Sequence, residues 1–214
     1  MRALSEEEFL REAKPVFDRV FVAENPFDPL FTSAIEARMI LFPVHNVMDR
    51  LIARAIKKAS SLVNETSFYL SVLERPDAAE QDRPYHWLIP FSQLEEYREL
   101  GYPFVLENAI YSPSGTWGVM FSHARHAVLG GPRQFVQAVT ETLPNSVSQV
   151  DKFIATWKQN QERFGSNLDW LPRLLEHVYG EERAQEMLVK AGLAPPPADQ
   201  ESRAKEAVAS KSGA

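Results

Sequence analysis

The sequence contains no cysteine, which excludes disulfides, thiolate metal sites and a cysteine nucleophile. It has no long apolar run. The longest, Met39 to Val44, is far short of the roughly 20 residues a membrane-spanning helix needs. Positive charge is also scarce: 23 Lys and Arg stand against 29 Asp and Glu, a formal net charge of −6. A surface of that sign argues against nucleic acid as a ligand and allows a basic protein partner. The phosphate loop, dinucleotide fingerprint, EF-hand, zincin motif and Gly-x-Ser-x-Gly elbow are all missing. The first residues, Met1-Arg-Ala-Leu-Ser-Glu-Glu-Glu8, are acidic and carry no apolar h-region. The expectation is a cytoplasmic protein with no membrane contact, no cofactor and no bound metal.

What is present is the material of a packed core. Hydrophobic residues make up 44% of the 214, with 13 Phe and 4 Trp, enough for one domain or one domain with an appendage. The chain is organised around residues 104–131. Three short strands are predicted there, Phe104 to Tyr111, Thr116 to Ser122 and His126 to Leu129, with Ser112-Pro-Ser-Gly115 supplying the turn between the first two. Alternation predicts two more strands upstream, Thr66 to Leu73 and Tyr85 to Phe91.

Helices are predicted around these strands. Ser5-Glu-Glu-Glu8 is a capping box that opens a helix interrupted near Pro15. A second helical block runs from about Ser33 and is broken by Pro43, its better half being Val47 to Ser60. The cations there, Arg50, Arg54, Lys57 and Lys58, read as a solvated face near a helix C-terminus or as a binding face. Ser92 to Leu100 is a short acidic helix, and Gly131-Pro132 starts another that ends near Leu143. Three helices ending at Gly165, Gly180 and Gly192 follow Asn145. The expected fold is α+β: a mostly antiparallel sheet of about five strands with helices against one face. The expected organisation is an α+β domain at 1–144, a C-terminal helical segment at 145–192 and a disordered tail at 193–214.

No constellation dictates a reaction. His123 and His126, with Glu107 on the neighbouring strand, are the residues most able to share a metal or do acid–base work. Gly130-Gly131 before a helix offers a weak anion site. Glu95, Glu96 and Glu99 read as exposed helical carboxylates. The remaining set is Trp87, Tyr111, Trp117, His123 and Arg125, of the types that dominate protein-binding hot spots and also fill cores.

Glu107 to Gly118, followed by Ser122-His-Ala-Arg-His-Ala-Val-Leu-Gly-Gly131, resembles a segment of small bacterial immunity proteins of polymorphic toxin systems and their uncharacterised relatives. The resemblance covers about Val47 to Leu143 and leaves out the C-terminal helices. It implies a non-catalytic cytosolic fold that plugs or covers a cognate toxin, and it assigns no toxin-contacting residue; the acidic net charge points separately to a basic toxin. The leading expectation is therefore a non-enzymatic protein-binding module. The alternatives are an enzyme built on His123, His126 and Glu107, and a scaffold subunit that assembles through its C-terminal helices.

Overall fold

A computed structural model describes residues 1–44, 49–74, 84–94, 107–144 and 146–194. The chain divides into two compact units, Met1–Phe153 and Ile154–Ala214.

The first unit is built on an antiparallel sheet whose strands are β1 (Arg2–Leu4), β2 (Ala37–Leu41), β3 (Ser67–Val72), β4 (His86–Pro90), β5 (Asn108–Tyr111), β6 (Gly118–Phe121) and β7 (Ala127–Gly131), in the order β1-β4-β3-β5-β6-β7-β2. The α+β antiparallel class matches expectation. The strand number is higher, seven among the described residues rather than about five, because both edge strands escape alternation. β1 is three residues long at the edge of an acidic stretch. β2 lies in the block expected to be helical from Ser33. Met39, Ile40 and Leu41 are consecutive and all buried, and an unbroken apolar run does not distinguish strand from helix.

Alternation sorts the strands into two buried faces. On one, Phe68, Leu70, Trp87, Ile110, Val119, Phe121 and Leu129 join a single apolar cluster with Ile52 and Ile56 of α3 (Arg50–Leu62) and Phe135 and Val139 of α4 (Arg133–Thr142). Trp117 stacks on Phe135 with centroids 4.8 Å apart. The expectation of helices on one face only is corrected by the other. There Phe17 and Phe21 meet Tyr111 edge-on at 5.4 and 6.2 Å. These two rings come from the N-terminal helical stretch and the residue that ends it. Each buried Phe contributes about 1.5–3 kcal/mol, so an amphipathic N-terminal helix is better placed over the sheet than in water.

That stretch is α1 (Glu6–Glu8), a π-helical turn (Phe9–Ala13) and α2 (Lys14–Val20). The capping box forms as expected: Ser5 Oγ accepts from the Glu8 amide at 3.2 Å and Glu8 accepts from the Ser5 amide at 2.8 Å. Ahead of Pro15 the helix widens rather than breaks, the Lys14 amide reaching back to the Phe9 carbonyl. Proline then sits in the first turn of α2, where its missing N–H is harmless.

Two glycines make this face flat. Gly118 and Gly130 are partners in the β6–β7 register. A Cβ on Gly118 would lie 2.5 Å from the Phe21 ring, and one on Gly130 would lie 2.7 Å from Ile35 and 2.8 Å from Phe31. The Gly130-Gly131 pair is thus explained by close packing, Gly131 giving way to Trp117 on the opposite face.

The second unit contains the C-terminal part of α5 (Ser146–Phe164), then α6 (Leu171–Tyr179) and α7 (Glu181–Ala191). Gly165, Gly180 and Gly192 all have positive φ, as helix-ending glycines do. Lys158 donates to the Ala191 carbonyl at 2.7 Å, placing a cation at the negative end of α7. Trp157 and Trp170 meet edge-to-face at 5.1 Å. Among the described residues no helix is long and apolar enough to cross a membrane. The expected acidic helix beyond Leu94 and the expected disordered tail beyond Ala194 lie outside the described residues.

Candidate functional site

Two hairpins join β5, β6 and β7, each through a serine-led turn whose fourth residue has positive φ. In the first, Ser112 to Gly115, the Gly115 amide donates to the Ser112 carbonyl at 2.9 Å and Ser112 Oγ accepts from the Thr116 amide at 2.9 Å. In the second, Ser122 to Arg125, the Arg125 amide donates to the Ser122 carbonyl at 3.2 Å and Ser122 Oγ accepts from the Ala124 amide at 3.1 Å. Both need a left-handed fourth residue. Gly115 meets that need at φ +72°, while the second turn places Arg125 at φ +65°.

The second turn is held from two sides. The Arg125 carbonyl accepts from the Val44 amide at 2.8 Å. Below it, Glu107 accepts from Ser122 Oγ at 3.3 Å and contacts His123 Nδ1 at 3.1 Å. Glu107 is mostly covered, with 14% of its side chain exposed, and His123 is open at 59%. Burial raises the Glu107 carboxyl above its ordinary value, against the opposing pull of His123. Arg125 is exposed beside them.

The expected His123–His126–Glu107 grouping is only partly assembled. His126 turns inward, fully buried, and donates through Nε2 to the Pro26 carbonyl at 3.2 Å, with Phe27 against its ring at 4.8 Å and Phe153 at 5.1 Å. Burial lowers its pKa to about 4, so the ring is neutral in the fold. Among the described residues no three His, Cys, Asp or Glu side chains are grouped to hold a metal.

The expected binding set also divides. Trp87, Tyr111 and Trp117 are buried to 2% exposure or less and present no surface in this fold. Only His123 and Arg125 reach solvent, on the same turn.

Tyr111 instead ends a buried polar line that the sequence left unnoticed. Its hydroxyl lies 2.9 Å from Ser71 Oγ, which lies 3.0 Å from His86 Nδ1. The His86 ring stacks flat on Phe9 at 3.5 Å, and its Nε2 is 3.9 Å from the Glu6 carboxylate. Burial raises the Tyr111 phenol above its usual range. Serine, histidine and carboxylate in a row suggest a nucleophile. Ser71, however, is 1% exposed, so no substrate reaches it here, and the line fastens the N-terminal helical stretch to the sheet. The signal available in the sequence was the pair of small and polar residues, Ser71 and His86, within otherwise apolar strands.

Of the residues singled out in the sequence as candidate site or binding residues, His123 and Arg125 on the β6–β7 turn are thus the ones that combine exposure with a backbone fixed by hydrogen bonds. Comparison with known proteins returned no matching family model, no matching curated protein and no matching solved structure.

Proposed function

We propose that this chain is a non-enzymatic, cytosolic protein-binding module of immunity type, which covers a cognate toxin with a surface that includes the β6–β7 turn. The observation that carries the proposal is Arg125 at φ +65°. A non-glycine residue in that region costs about 1 kcal/mol, and the preceding hairpin meets the same need with glycine. An exposed arginine at this position carries backbone strain with no compensating hydrogen bond or ion pair of its side chain among the described residues, which supports a role for that side chain outside the fold. Arg and His on a turn anchored by Glu107 and Val44 are pre-organised, which lowers the ordering cost of a contact. The net charge of −6 favours a basic partner through long-range steering.

The test is co-purification of the partner with wild type and with Arg125→Gly, each at low and high salt. Loss of the partner in the variant, with the fold intact, supports the reading. Equal recovery by both proteins removes the turn from the interface.

A second reading rests on the Glu107–His123 contact. A carboxyl raised by burial beside an exposed imidazole has the make-up of an acid–base pair. Turnover of any substrate that is abolished by both Glu107→Gln and His123→Ala, with a pH profile shifted by neither fold loss nor aggregation, would replace the binding proposal with this one.

A further inference from the structure

A different surface, on α3, gathers exposed cations. α3 holds Arg50, Arg54, Lys57 and Lys58 on its exposed side and has no acidic residue along its length. Positions 50, 54, 57, 58 and 61 recur at helical spacing and form one stripe. Of the two readings of these cations, a solvated face near the helix C-terminus or a binding face, the helix boundaries take away the part that rests on the C-terminus. Helix dipoles reward cations in the last turn, and α3 has no basic residue there. Arg50 is its first residue, at the positive end, where a cation is disfavoured. Among the described residues no ion pair neutralises any of the four, whereas Arg2, Arg11 and Lys14 all face carboxylates.

The stripe runs into an open groove of about 800 Å³. Lys57 and Ser61 form its α3 wall, Thr66 and Ser67 add hydroxyls, and Leu88 and Phe91 supply apolar surface. Glu65 also borders it, with one carboxylate oxygen engaged by the Ser114 amide at 3.2 Å. Leu51 and Leu62, among the exposed large hydrophobics at 40% and 54%, flank the stripe at either end of the helix.

We propose that the α3 stripe and this groove dock an acidic, extended segment of a protein partner, its carboxylates on Arg50, Arg54, Lys57 and Lys58 and one apolar side chain in the groove. The 13 residues of α3 extend ~20 Å, the reach of about six residues of extended chain. A narrow peptide meets only the stripe and groove. A duplex or an anionic membrane is broader and would also meet the acidic α1–α2 stretch, because Arg2, which lines the groove, carries Glu8 and Glu12 beside it. The site shares no residue with the β6–β7 turn and does not depend on its role.

The test is fluorescence anisotropy with the full chain and a labelled peptide of glutamates flanking one leucine. The same titration is run with its glutamine counterpart, a single-stranded oligonucleotide and phosphatidylserine-containing vesicles. Saturable, salt-sensitive binding of the acidic peptide is expected, weakened by about tenfold or more in Arg54→Glu/Lys57→Glu and by a smaller factor in Arg54→Gln/Lys57→Gln. The neutral pair guards against a folding defect, which circular dichroism also monitors. Unchanged affinity in both variants, equal binding of the glutamine peptide, no saturable binding, or tighter binding to the oligonucleotide or vesicles overturns the proposal.

Discussion

At the scale of single residues, Arg125 and His126 are neighbours with opposite fates. Arg125 faces solvent from a strained backbone, so Arg125→Gly is expected to leave stability unchanged or raise it by about 0.5–1 kcal/mol while removing partner binding. A urea titration checks the first half, and a clear loss of stability would mean that the side chain supports the fold instead. His126 is the reverse case. Its pKa is about 4 in the fold against 6.5 unperturbed, so below 6.5 the unfolded chain binds the extra proton. Its contribution is complete above pH 6.5 and is lost as pH falls towards 4, by a total on the order of 3 kcal/mol. Glu107, whose carboxyl is raised, acts in the opposite sense over acidic pH. Urea midpoints at pH 7 and 4.5 should therefore converge in His126→Gln relative to wild type. An identical acid loss in both proteins would show that His126 is not responsible.

At the scale of elements, most boundaries follow from residues that solve a local backbone problem. Asp49 accepts from the amides of Leu51 and Ile52, both at 2.8 Å, so Asp49→Ala is expected to cost about 1 kcal/mol. Thermal unfolding is the check, and an unchanged midpoint would show that α3 is held by packing alone. Gly118 solves a problem of space. In Gly118→Ala the new Cβ meets the Phe21 ring and Val20 Cγ1 at 2.5 and 2.8 Å, an overpacking expected to cost about 1–3 kcal/mol. A variant as stable as wild type would mean that the N-terminal stretch yields easily. The capping box, the Ser112–Gly115 turn and the glycine-terminated helices were legible because each depends on near neighbours. β2 was not, because its strand conformation comes from pairing with β7 some ninety residues away, which no local pattern encodes.

At the scale of the whole molecule, the same limit governs the site. Trp87, Tyr111 and Trp117 have the composition of an interface, and only the layering of the sheet between two sets of helices decides that they are core. His126 could not be separated from His123 until the approach of Pro26, a hundred residues earlier, was known. Legible from the start was the concentration of polar groups on the Ser122–His126 turn, which is where the binding proposal now rests. The most direct test of that proposal is partner capture by wild type, Arg125→Gly and the control Arg11→Ala on the exposed side of the N-terminal helical stretch, compared at low and high salt. The account expects one basic protein held by wild type and the control, released by salt and absent with Arg125→Gly. The same recovery from all three proteins would contradict it.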